Sequence, residues 1–292
     1  MSALSRVVGL GMLLFVVAAC RGAPAPTATP IPPTVTSAPT AAPTVSAALV
    51  TPTATLAPQV AVVTVGIDPA FEPFVFTQDG KLAGFDVDLL NAMAAEGDFE
   101  VAYVVAPFNE ILDGLQRGKF DAAISAITVT EDRKALVDFT APYFESGKAP
   151  VSFYNPGQGI AIRTDNATIT GPESLVAGVR VGVKRGTTGA AFAAEQTTAE
   201  IVEYADSLEA IESLTAGELD AVIVDIPVIV DYIKRNPTAG IRVTGGPVTD
   251  EVYAIAVSKA KPAVLAALNA ALAKVQESGA YDQIYNRWFG AP

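Results

Sequence analysis

Beyond residue 60 the chain alternates two hydrophobic rhythms. Short runs of β-branched and apolar residues recur at 60–65, 101–105, 122–127, 151–154, 179–183 and 221–224. Between them, apolar positions fall three or four residues apart: Leu89, Leu90 and Met93; Ile111, Leu112 and Leu115; Leu208, Ile211 and Leu214. The first rhythm predicts strands and the second predicts amphipathic helices. Strands that read as continuous apolar runs suit a mostly parallel sheet covered by helices on both faces. The expected class is therefore α/β. In such sheets ligands sit beyond the carboxyl ends of the strands, so polar residues just after each apolar run carry the functional information.

The first sixty residues follow a different pattern. Arg6 precedes an apolar run at 7–19 that ends in Val17-Ala18-Ala19 and then Cys20, the only cysteine of the chain. A charge, a short apolar core and a small-residue cut site make a secretory signal. The run is shorter than the roughly 20 residues a spanning helix needs. A cysteine directly after the cut resembles the lipobox of bacterial lipoproteins, which implies a signal peptide at 1–19 and lipidation of Cys20. No charged residue occurs from Gly22 to Gln59, where Pro, Thr and Ala dominate. That composition buries no core and favours extended backbone, so 20–59 reads as a lipidated, disordered linker. Fully extended at about 3.1 Å per residue, it reaches on the order of 100 Å. The expectation is an exported body, anchored by lipid alone to the outer face of the cell membrane or in the periplasm.

Charge and composition narrow the chemistry. With 19 basic and 31 acidic residues, the net charge is −12, and no basic patch stands out, which disfavours nucleic acid as a partner. The sequence contains no histidine. Ser-His-Asp and Cys-His catalysis and the histidine-based zinc motifs are thereby excluded. No cysteine cluster or calcium loop is present, so no metal or organic cofactor is expected.

Four strand ends carry polar residues of a complementary kind. After the first run comes GIDPAFEPF, with Asp68 and Phe71 at a proline-punctuated corner. After 122–127 comes ISAITVTEDRK, with Ser125, Thr128 and Thr130; Thr130 suits an N-cap, and Arg133 lies near the helix start. A cation is misplaced there on dipole grounds, which points to an anionic ligand. After 179–183, KRGTTGAAF opens a helix at Thr187–Thr188; after 221–224, Asp225 precedes Ile226 and Pro227. Arg133, Thr128 and the Thr187–Thr188 helix start thus offer an anion site, and Asp225 a cation site. A carboxylate beside an ammonium is the head group of a free α-amino acid. Each residue alone also has a plainer use, as a surface ion pair, a helix cap or a strand residue.

GIDPAFEPF, GFDVDLLNAMA, DAAISAITVTEDRKALVDFTAPYF, GVKRGTT, LTAGELDAVIVDIP and GAYDQIYNRWF together resemble the family 3 solute-binding proteins of polar amino-acid ABC transporters, from about residue 60 to the C-terminus. The resemblance implies a two-lobed, periplasmic-binding-protein-like α/β fold, each lobe a mostly parallel sheet covered by helices, with the ligand in the cleft. Lobe 1 is expected at 60–145 and 253–292 and lobe 2 at 146–252. Carried over by motif, Arg133 with Thr128 takes the α-carboxylate, Asp225 takes the α-ammonium, and Thr188 lies in the carboxylate loop. Phe71 and Phe108 sandwich the aliphatic part, Asp68 and Lys184 meet the far end, and Ser125 and Ala126 complete the binding set. Val224 stands where glutamine-binding members have a histidine, and Ala126 and Thr188 where they have glycines.

One acceptor and one donor at the far end match a carboxamide, so glutamine is the favoured ligand. The expected partners are a free amino acid and the permease subunits of an ABC importer, with the protein a monomer and not an enzyme. The same fold occurs in dehydratases of prephenate-like acids, but that chemistry needs a general acid, and the expected clamp holds no spare one. A ligand-sensing module for a separate signalling partner is the other alternative.

Overall fold

The computed structural model describes residues 62–145 and 154–290. The expected signal peptide 1–19 and the expected lipidated linker 20–59, with Cys20, lie outside the described residues. Two five-stranded sheets build two lobes of one α/β unit. In the first, Val62–Ile67 lies between Glu100–Val105 and Ala122–Ala123, all parallel. Ala256–Val257 and then Asp138–Phe139 extend that sheet in the antiparallel sense. The second repeats the plan: Arg180–Lys184 lies between Glu200–Tyr204 and Ala221–Asp225, all parallel, and Gln158–Arg163 and Ile241–Thr244 join antiparallel.

The parallel trios follow from the helical segments between their strands, since parallel neighbours need a crossover. Helices Phe85–Gly97 and Phe108–Gln116 serve the first trio, and Thr188–Gln196 and Ser207–Thr215 the second. The helical stripes read from the sequence face the core. Leu89, Leu90 and Met93 are buried, as are Ile111 and Leu115, and Ile211 and Leu214. Each such side chain contributes about 1.5–3 kcal/mol on burial. Leu112 and Leu208 are only partly buried, at the edges of their stripes.

Two differences from the sequence pattern have local causes. The expected strand at 122–127 is paired only at Ala122–Ala123, because the chain turns away through Ala126, whose φ of 47° is left-handed. Of the expected strand at 151–154, residues 151–153 lie outside the described residues and Tyr154 is in no strand; Gln158–Arg163 is the strand nearby. Its glycine and polar ends hide it from a β-branched pattern.

The chain passes between the sheets twice, and the passages lie side by side: Phe144–Glu145 pairs antiparallel with Val252–Tyr253. An aromatic cluster supports this ribbon. The ring of Phe74 meets Phe144 at 5.3 Å, Tyr253 at 5.4 Å and Phe289 at 5.4 Å between centroids. Phe289 comes from the last helix, Ala280–Phe289, which buries Ile284, Tyr285 and Phe289. Edge-to-face and offset pairs of this kind add about 0.5–1.5 kcal/mol beyond burial. The C-terminal segment thereby fixes the floor on which the site stands.

Candidate functional site

A narrow cavity lies at the strand ends, lined by Phe71, Phe108, Ser125, Ala126, Thr128, Arg133, Lys184, Thr187, Thr188 and Asp225. Nine of the ten ligand-binding residues expected from sequence are therefore brought together, and Thr187 joins them. The exception is Asp68, which stands behind Lys184 rather than on the wall.

Arg133 reaches the cavity from the six-residue helix Glu131–Leu136. Thr130 caps that helix, its Oγ1 accepting the Arg133 N–H at 3.2 Å. The guanidinium lies over the Phe108 ring, with Cζ 5.5 Å from the centroid. Its Nη1 donates to the Thr128 carbonyl at 2.8 Å and its Nη2 to the Gly186 carbonyl at 3.2 Å. Burial pulls its pKa down, and the charges of Glu251 and Asp225 oppose that shift. Across from it, Thr187 caps the helix Thr188–Gln196 by accepting the Ala190 N–H at 3.2 Å, while its hydroxyl donates to the Lys184 carbonyl at 2.7 Å. A guanidinium and a helix N-terminus face the same space, which suits a carboxylate.

Asp225 ends the strand Ala221–Asp225 and precedes the helix Ile226–Arg235, but makes no capping bond. Pro227 near the helix start reduces the need for one. Freed from capping, the carboxyl is bonded to the Tyr253 hydroxyl, which also bonds the Pro156 carbonyl at 2.7 Å. One hydroxyl hydrogen does not fully satisfy two acceptors. The Tyr253 hydroxyl donates to Asp225 Oδ1 and is shared with the Pro156 carbonyl, so the carboxyl keeps unmet acceptor capacity in a buried place. Burial, and then the charge of Glu251, push the Asp225 carboxyl up to about 7. An ammonium placed here supplies the donors and the counter-charge that the carboxyl lacks.

At the opposite end Lys184, 2% exposed, donates to Asp68 Oδ2 at 2.7 Å and to the Ala70 carbonyl at 2.9 Å. The ammonium also lies 5.2 Å from the Phe71 centroid and 5.7 Å from that of Phe108. Asp68 Oδ2 accepts the Phe108 N–H at 3.1 Å as well, and the Asp68 N–H donates to Ser125 Oγ at 2.9 Å. Ser125 therefore holds the Asp68 corner. Ala126 has its N–H bonded to the buried Asp86 at 2.8 Å, which pins its left-handed turn against the cavity.

The sequence pattern missed a polar layer behind the head end. Glu251, 6% exposed, accepts the Thr128 hydroxyl on Oε2 at 2.6 Å and the Thr249 hydroxyl on Oε1 at 2.9 Å. Gln158 Nε2 lies 3.1 Å from Thr188 Oγ1 and 3.5 Å from Glu251 Oε2. The expectation that no spare acid stands near the clamp is corrected by Glu251. Thr249, Asp250 and Glu251 read as a polar turn, and only the return of the chain from one sheet to the other carries Glu251 inward.

The model of the bacterial extracellular solute-binding proteins, family 3, matches residues 63–291. The chain belongs to this family. This family 3 protein is 34% identical over 233 residues to a probable histidine-binding protein of Neisseria gonorrhoeae, covering 78% of this chain and 83% of that one. It is 32% identical over 217 residues to the ABC transporter glutamine-binding protein of Bacillus subtilis, covering 72% and 73%. Among solved structures, an ancestral arginine-binding protein bound to glutamine superposes with a TM-score of 0.69 at 36% identity, over 79% of this chain and 98% of that one.

Proposed function

We propose that this solute-binding protein captures a free polar amino acid outside the cytoplasm, glutamine in preference, and delivers it to an ABC importer. In this reading Arg133 and the Thr187–Thr188 helix start take the α-carboxylate, and Asp225 takes the α-ammonium. Phe71 and Phe108 enclose the aliphatic segment. Residues 60–145 and 253–292 form one jaw and 146–252 the other. The body works as a monomer, tethered through lipid on Cys20. Arg133 bonds the Gly186 carbonyl at 3.2 Å and Lys184 bonds Asp68 at 2.7 Å across the cavity. Entry of an amino acid therefore requires the jaws to part.

The observation that carries the choice of ligand is the Lys184–Asp68 pair at 2.7 Å. Lys184 neutralises the one carboxylate at the far end and keeps a third N–H to donate. A cationic side chain would meet an ammonium there, whereas a carboxamide oxygen accepts from it. Asp68 Oδ1 accepts no bond among the described residues and suits the amide hydrogens once the jaws move. A pocket built on hydrogen bonds discriminates strongly against ligands that leave its groups unpaired. Calorimetric titration with glutamine, glutamate, arginine and histidine is the test. Glutamine is expected to bind tightest; tighter binding of arginine or histidine would mean that Lys184 turns away and leaves Asp68 to choose.

A further inference from the structure

Thr128 and Asp225 meet the head group, but neither is free to choose its hydrogen-bonding role. The single hydroxyl hydrogen of Thr128 is directed to Glu251 Oε2 at 2.6 Å. Toward the cavity, Thr128 is thereby left with lone pairs only. It accepts from an ammonium and does not donate to a carboxylate. Glu251 is itself held by the Thr249 hydroxyl, next to Gln158, and does not line the cavity. It lies on the returning passage between the sheets, one residue before the strand Val252–Tyr253. Tyr253, from the same strand, contacts Asp225.

Building on the amino-acid reading above, we infer that Glu251 is a positioning residue that makes the head-group site selective for a ligand amine. It acts in two ways, both through neighbours. It orients Thr128 as an acceptor for N–H, and its charge opposes the ionisation of Asp225 until an ammonium arrives beside Asp225. The groups facing Asp225 are Glu251, Tyr253 and Gln158, and Arg133 feels the charge of both acids. With one guanidinium against two carboxyls, the head end holds a surplus of negative charge, which a ligand carboxylate increases unless the ligand brings its own cation. An α-amino acid supplies the cation; the matching 2-hydroxy acid, identical in its carboxylate and side chain, does not. Glu251 therefore separates these two ligand classes without touching either.

The test compares the wild-type protein with Glu251→Gln, which keeps the side-chain volume and an oxygen able to accept from Thr128. Glutamine and its 2-hydroxy analogue are titrated against both proteins from pH 5 to 8. In wild type the amino acid is expected to win by a large factor, and its affinity to fall on acidification. In Glu251→Gln the ratio of the two affinities is expected to narrow by at least about tenfold. The midpoint of the acid loss is expected to move down by about half a pH unit or more, because a like charge beside Asp225 is gone. Thr128→Val is expected to narrow the ratio as well, and Thr128→Ser to restore it. An unchanged ratio and midpoint in folded Glu251→Gln would overturn the inference and leave the amino-acid reading standing. Should Glu251→Gln not fold, an unaltered ratio in Thr128→Val overturns it instead. If wild type binds no free amino acid, the functional reading falls first and this inference with it.

Discussion

Arg133 and Asp225 illustrate how residue-scale forces set the behaviour of the site. Each is a buried charge whose partner arrives only with a ligand, and an unmatched buried charge costs roughly 2–5 kcal/mol. Arg133→Ala and Asp225→Ala are each expected to weaken amino-acid binding by at least about thirtyfold, the low end of that range. Calorimetry on the folded variants checks this. The titration of Asp225 has a definite sign. Its carboxyl is pushed up to about 7 from the ordinary 3.8, so it lacks the counter-charge for an ammonium at lower pH. Affinity is expected to fall by up to about tenfold for each unit of acidification below 7. Stability runs the other way. A carboxyl whose folded pKa is raised favours the folded state at low pH, and that contribution is lost as pH rises through 7. Buried Asp86, also raised to about 7 by burial, acts in the same direction. Asp225→Asn is thus expected to melt higher than the ligand-free parent at pH 8 while losing amino-acid binding. A lower melting temperature would show that the carboxylate is held ionised.

At the scale of elements, two short structures deliver the clamp. The Glu131–Leu136 helix has only six residues, too few to be stable by propensity, so its cap and packing hold it. Thr130→Ala removes the cap and is expected to cost about 1 kcal/mol of stability. Arg133 follows the same turn, so binding is expected to weaken too; a stability loss with unaltered affinity would show that the turn survives on packing. The Ala126 turn presents the opposite case. Alanine is strained at a φ of 47°, and glycine adopts that region without a Cβ penalty. Ala126→Gly is expected to leave thermal stability unchanged or raised, despite the extra chain entropy glycine brings. The helix start at Thr187–Thr188 was legible in the sequence because a glycine and two threonines follow an apolar run and open an alanine-rich segment. The short pairing of Ala122–Ala123 was not, since the turn at Ala126 is set by a hydrogen bond from its N–H to the Asp86 carboxylate, forty residues away.

For the molecule as a whole, anchoring and capture are separable properties. The proposed lipid anchor, Cys20, follows the expected signal peptide 1–19, and the residues that line the cavity fall between Phe71 and Asp225. Cys20→Ala is expected to free the protein from membranes without changing its circular dichroism or its melting temperature. Retention in the membrane fraction would favour an uncleaved N-terminal helix over a lipid anchor. At 100 times its dissociation constant, a ligand is expected to stabilise the folded body by about 2.7 kcal/mol. Lipidated and soluble forms should share that shift.

What the sequence determined by itself is local or repeats along the chain. Continuous apolar runs and period-three-to-four patterns identify strands and helices because burial follows the geometry of each element. The Thr130 cap and the helix start at Thr187–Thr188 are legible because the partners of Thr130 and Thr187 lie three residues away. The family motifs named nine of the ten residues that line the cavity. The tertiary structure decided what depends on distant parts of the chain meeting. Asp68 and Lys184 are 116 residues apart, and only the fold shows that they pair with each other and set Asp68 back from the wall. Glu251 looks like part of a solvated turn until the return passage brings it 2.6 Å from Thr128, 123 residues earlier. Periodicity reports which face of an element is buried, but not which element it faces. The charge balance of the site arises from that second choice.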